Sequence, residues 1–115
     1  MKLTIEEFHH ELTDALRKYL PNGDLEIFEM SMLRLKMRFY ITISFFIDIF
    51  YAARTNKVSL AVIHKGRRIF GIDNLGNWHS HPLGSSEDHV KITAPSIEKM
   101  ILECAKVIKE VDEEG

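Results

Sequence analysis

Between Leu33 and Ile43 the chain alternates without a break: Leu33, Leu35, Met37, Phe39, Ile41 and Ile43 are separated by Arg34, Lys36, Arg38, Tyr40 and Thr42. Successive side chains of an extended strand point to opposite faces, so this period of two describes a strand with one apolar and one polar face. The apolar face needs a covering layer, and the two ends of the chain provide candidates for it. Thr4 with Glu7 forms a capping-box pattern ahead of Ile5, Phe8, Leu12, Ala15, Leu16, Tyr19 and Leu20, which recur at helical spacing until Pro21-Asn22-Gly23-Asp24. Near Pro95-Ser96 a second helix begins, carrying Ile97, Met100, Ile101, Cys104, Ala105, Val107, Ile108 and Val111 on one face.

A strand around Leu25 to Met32 precedes the alternating segment and another, around Phe45 to Ala52, follows it. Val58 to His64 and Arg68 to Asp73 flank Lys65-Gly66-Arg67 as a hairpin, with Gly66 able to take positive φ. The expectation is an α+β fold: an antiparallel sheet of about five strands, flanked by an N-terminal and a C-terminal helix. The boundaries are a helix over 4–20, a β-meander over 25–73, a histidine-rich loop over 74–94 and a helix over 95–111. With 115 residues and 45% apolar composition the chain holds one core, so residues 1–115 form a single domain.

A net charge of -2 makes no demand for nucleic acid or an anionic membrane, and any nucleic-acid contact needs a local basic patch. The single cysteine, Cys104, cannot form an internal disulfide, which fits a reducing compartment. Glu6, Glu7, Glu11 and Asp14 near the start are unlike a signal peptide, and the longest apolar run, Phe39 to Ala53, is broken by Asp48 and too short to span a bilayer. The expected location is cytoplasmic, with no membrane partner.

The strongest chemical signal is a cluster of three of the six histidines, His79, His81 and His89, in the long polar loop that contains Gly76, Pro82 and Gly84. In extended chain His79 and His81 point the same way, and His89 can return from the far arm of the loop. Three chemistries remain open for this group. Three neutral imidazoles, with Asp73 as a ligand or behind one, suit a divalent transition metal such as zinc. Alternatively His79, His81 and His89 act as acid and base in cleaving RNA, with Asp73 orienting a ring and Arg54, Arg68 and Trp78 holding the substrate. In the third, Trp78 folds under the loop, Asp73-Asn74 merely starts a turn and the histidines satisfy backbone groups.

Other candidates carry less. His9 and His10 diverge by about 100° on a helix and cannot share one ion, while His64 flanks a turn. Arg34, Lys36 and Arg38 with Tyr40 could face phosphates, but such a row is more often a solvated sheet face paired with acids such as Glu26 or Asp48, and that reading is favoured.

The segments Val58-Ser59-Leu60-Ala61-Val62-Ile63, Gly66-Arg67-Arg68-Ile69-Phe70-Gly71-Ile72-Asp73-Asn74 and Trp78-His79-Ser80-His81-Pro82, followed by His89, resemble the TumE-like family of small prokaryotic toxin-antitoxin proteins. The similarity covers roughly Leu33 to Val111, and its specific part is Asp73-Asn74 with His79, His81-Pro82 and His89. It implies a toxin-like component whose partner is a small helix-turn-helix antitoxin; ribonuclease action is an inference from the histidines. The chain departs from the family where relatives have an Asp-Gly or Gly-Ser turn after the second strand, since Thr42-Ile43-Ser44 stands there, which puts that turn in question. The rival expectation is a non-catalytic protein- or metal-binding module. Phe46 and Phe50 lie opposite Ile47 and Ile49 on one strand, so a sheet face incompletely covered by two helices could be buried in a homodimer.

Overall fold

The first helix, α1 (Ile5–Tyr19), is held at its start by the reciprocal bonds of a capping box: Glu7 N donates to Thr4 Oγ1 at 3.1 Å, and Thr4 N donates to Glu7 Oε1 at 2.9 Å. The computed structural model describes residues 2–114, so Met1 and Gly115 lie outside the described residues. Among the described residues seven strands follow: β1 (Asp24–Met30), β2 (Arg34–Thr42), β3 (Phe45–Ala52), β4 (Lys57–His64), β5 (Arg67–Asp73), β6 (His79–His81) and β7 (Val90–Lys91). The chain closes with α2 (Ile97–Glu114), started by Ser96, whose Oγ accepts from Lys99 N at 3.0 Å.

The strands form one antiparallel sheet in sequence order, β1 through β7. The expectation of about five strands is therefore corrected to seven. β6 and β7 have three and two residues, too few to display a period of two. Their pairing is imposed by the backbone edge that β5 offers, with Gly71 opposite His81, Ile72 opposite Ser80 and Asp73 opposite His79. Within the segment 74–94 these two short strands extend the meander, and the rest of it is turns and irregular connection.

The turns follow local chemistry. Lys65 and Gly66 both adopt positive φ, 52° and 79°, as a two-residue hairpin of the favoured hand requires. The turn between β2 and β3 is made by Ile43 and Ser44, with an irregular register between Tyr40 and Thr42, and Ile43 is left 85% exposed.

Both helices cover the same sheet face. α1 packs on β2 and β3, α2 on β4 and β5, and the two pack against each other. The core contains Leu35, Met37, Ile47, Tyr51, Leu60 and Val62 from the sheet, with Phe8, Leu12, Met100 and Ile101 from the helices. Replacing one of these buried aliphatic side chains with alanine costs about 2–5 kcal/mol. Phe8 stacks on Tyr51 with centroids 4.2 Å apart, and the Tyr51 hydroxyl donates to Leu3 O at 2.6 Å. No helix among the described residues is long and apolar enough to cross a membrane.

Among the described residues the opposite sheet face carries no helix. Lys36, Arg38 and Tyr40 lie on it, with Phe46, Asp48 and Phe50 from β3. Arg38 Nε donates to Asp48 at 2.8 Å while its guanidinium lies 4.1 Å from the Phe46 ring centroid, so this part of the basic row is paired within the sheet.

Candidate metal centre

The histidine cluster is built by strand register on the uncovered face. Leu60 and Ile72 are opposite one another and buried in the core, so the residues on either side of Ile72, Gly71 and Asp73, face the other way. Cross-strand partners share a face, which places His81 beside Gly71 and His79 beside Asp73. β7 then pairs with β6, Lys91 opposite His79, and returns His89 to the same edge.

The dipeptide Asp73-Asn74 secures the turn into β6. The Asn74 side chain accepts from Val58 N and donates to Asn56 O, each at 2.7 Å, tying the end of β5 to the start of β4. Asp73 Oδ1 accepts from Leu75 N at 3.0 Å, the self-turn typical of aspartate. Turn formation and histidine contact, posed as alternatives by the sequence, are performed by one carboxylate.

His79 Nε2 lies 3.1 Å from Asp73 Oδ1, and His81 Nε2 lies 3.1 Å from Asp73 Oδ2. The other nitrogen of each ring faces a backbone carbonyl: His79 Nδ1 to Asn77 O at 2.8 Å and His81 Nδ1 to Ser86 O at 3.1 Å. His89 completes the group, with its ring centroid 4.7 Å from that of His79 and 4.5 Å from that of His81. One ligand atom from each of the three histidines lies within 4.8 Å of the other two. His81 is 3% and Asp73 6% exposed, His79 is half-buried and His89 is exposed.

A carbonyl oxygen only accepts, so each Nδ1 carries a proton. Two arrangements then satisfy the Nε2 atoms. Either both rings are doubly protonated and donate to one carboxylate, or both Nε2 atoms present lone pairs that share a cation with it. The first puts two positive rings 5.0 Å apart, centroid to centroid, beside a third imidazole. At an effective dielectric of about 20, two unit charges at that distance repel by about 3 kcal/mol, and the attraction of each ring to the shared carboxylate at 3.1 Å is larger, so charge alone does not decide between the two arrangements. The second is the usual arrangement of metal-bound histidine, in which the distal ring N–H is held by a carbonyl. Three imidazoles and a carboxylate suit zinc or a similar borderline divalent ion.

Gly71 is the floor of the site. A Cβ there would meet His81 Cδ2 at 3.3 Å and Leu60 O at 3.4 Å, so a side chain would press on the ring and require it to give by a few tenths of an ångström.

The other sequence candidates are not all gathered here. Arg68 is at the rim, but its Nη2 donates to Ser86 O at 3.0 Å. Trp78 turns inward and packs against the core, because it precedes the outward-facing His79; only its carbonyl, which accepts from Ile92 N at 3.2 Å, serves β6. Arg54 is in the turn after β3 and lines a cavity of about 940 Å³ with residues of the Lys2–Glu6 and Met30–Met32 segments, none of the three histidines being among its walls. His10 lies 3.3 Å from Asp14 on exposed helix surface, and His64 packs on Phe45 with centroids 4.5 Å apart. Ser86 carries no sequence signal of its own, yet its carbonyl meets both His81 and Arg68, and its Oγ donates to Arg68 O at 2.8 Å.

No protein-family model, curated protein or solved structure matches the chain.

Proposed function

We propose that the chain is a metalloprotein whose centre is formed by His79, His81, His89 and Asp73, and that this centre serves a hydrolytic, toxin-like activity on RNA. The observation that carries the metal assignment is the single Asp73 carboxylate facing two Nε2 atoms whose rings already spend their Nδ1 protons on carbonyls. The ligand set favours zinc, and the exposure of His89 on the uncovered face leaves room for an exchangeable position. An ion held there would supply Lewis acidity and a more acidic bound water. Metal-free acid/base cleavage by the same residues is less favoured, because every ring nitrogen of His79 and His81 is engaged and only His89 is left to exchange a proton.

The RNA substrate and the toxin role rest on the resemblance of the Asp73-Asn74 to His89 segment to TumE-like proteins, with a small helix-turn-helix antitoxin as the implied partner. Two measurements test the proposal. Purified protein analysed for metal should hold one equivalent of zinc, and the His79→Ala/His81→Ala variant none. Induced expression should arrest growth and degrade total RNA with the wild type only. Metal binding with harmless growth and intact RNA would leave a non-catalytic metal-binding module; absence of metal from the wild type after zinc loading would refute the centre itself.

A further inference from the structure

We infer that Arg68 and Ser86 form a positioning clamp that sets the metal affinity of the histidine site; the inference rests on the metal assignment above. The sequence marks Arg68 as a substrate-binding cation, and its hydrogen bond to Ser86 O suits it to a positioning task as well. Arg68 reaches the histidine face because β5 carries a bulge: Val62 pairs with Phe70 while Ile63 pairs with Arg68, leaving Ile69 as the extra residue. With regular alternation through Ile69, in place of the bulge, the pattern from Asp73 and Gly71 would send position 68 into the core. The bulge instead turns both Ile69 and Phe70 toward the core and Arg68 outward, the re-aiming of a side chain for which bulges are used.

The stem of Arg68 then runs along Gly71, its Cδ 3.5 Å from the place a Cβ would take there. The guanidinium meets Ser86 O, the same carbonyl that takes the Nδ1 proton of His81, and Ser86 Oγ returns a bond to Arg68 O. Three bonds thus converge on one residue of the connection between His81 and His89. Two tight turns shape that connection, Ser85 N donating to Pro82 O at 3.0 Å and Asp88 N to Ser85 O at 2.9 Å. The clamp holds the His81 ring with Nε2 toward Asp73, and it fixes the arm that brings His89 back. His89 has no hydrogen bond of its own among the described residues, so its place depends on that arm.

The sign of the effect separates this role from simple electrostatics. A guanidinium near a bound cation repels it, so charge alone predicts that Arg68→Ala binds zinc more tightly. The clamp predicts the reverse: zinc affinity, measured by competition with a chromophoric chelator, falls about 10–100-fold in Arg68→Ala, as for loss of other groups that orient a ligating histidine. Ser86→Ala, which keeps the carbonyl but loses the hydroxyl bond, falls by less, and Arg68→Lys recovers part of the loss. Cobalt substituted for zinc should show a changed visible absorption band in Arg68→Ala. In chelator, without metal, the melting temperature of each variant should stay within about 3 °C of wild type, as for a surface substitution. Unchanged or tighter zinc binding by Arg68→Ala, with a wild type that binds one equivalent, overturns the clamp alone. A wild type that takes up no zinc overturns the metal assignment and the clamp with it.

Discussion

Asp73→Asn separates the two ways in which the histidines can satisfy Asp73. Asparagine has nearly the same shape, so its Oδ1 still accepts from Leu75 N, a bond of 3.0 Å in the wild type. If the rings are neutral with protons on Nδ1, the new amide can donate to His81 Nε2 across the present 3.1 Å, and the metal-free fold loses little. Stability in chelator should then change by less than about 1 kcal/mol, or about 4 °C in melting temperature for a chain of this size. If both rings are instead imidazolium ions paired to the carboxylate, removing its charge strands two cations, one of them on the buried His81, and costs about 3–5 kcal/mol, a fall of about 12–20 °C. Zinc at about 100 times its dissociation constant stabilises a binding protein by about 2.7 kcal/mol, so the wild type should melt about 11 °C higher with zinc than in chelator. The variant should lose most of that increment. Differential scanning calorimetry of both proteins in chelator and in zinc makes the comparison. A collapse of the variant in chelator, together with no zinc increment in the wild type, would refute the shared-cation account.

Gly71→Ala forces a Cβ against His81 and the Leu60 carbonyl, so it should lower zinc affinity and cost about 1–3 kcal/mol of stability, read from chelator competition and thermal melting; wild-type values for both would show that the ring has room to move. Cys104 is fully buried on α2, and burial pushes its thiol up to about 12. It should therefore be inert to a disulfide reagent at pH 8 in the native protein and react with one equivalent in guanidinium, and rapid native labelling would contradict the packing. Lys18 and Tyr19 of α1 both reach Glu98 of α2, at 2.7 and 2.8 Å, and the hydrogen bond from Lys18 holds the Glu98 carboxyl below its ordinary value. That contribution is present above the unfolded-state value and disappears as pH falls through the folded-state one. Glu98→Gln should thus melt slightly lower than wild type at pH 7, with the gap closing toward pH 3, and a gap that widens in acid would rule the linkage out.

Much of the frame was legible because it is written in local periodicity. The strict alternation over Leu33–Ile43 marks β2 and tells which of its faces is buried, since side chains two apart on a strand share a side. Thr4 with Glu7, and the helical spacing from Ile5 to Leu16, mark α1 because capping and amphipathicity act within a few residues. His79 and His81 on one side of an extended segment could be read in the same way. The rest required the assembled sheet. β6 and β7 exist because β5 and then β6 offer unpaired backbone edges, which no pattern inside their three and two residues announces. Arg68 faces the histidines because a bulge of one residue reverses its side, Trp78 turns into the core, and Arg54 lines a cavity away from the site. Asp73 comes to face both rings through a register set between strands, and Ser86 enters through a carbonyl that every residue possesses. Sequence therefore determined the two helices and the long strands and which faces they bury, because those choices are local. The tertiary structure decided which side chains meet at the site, because convergence depends on register, bulges and backbone partners contributed by distant parts of the chain.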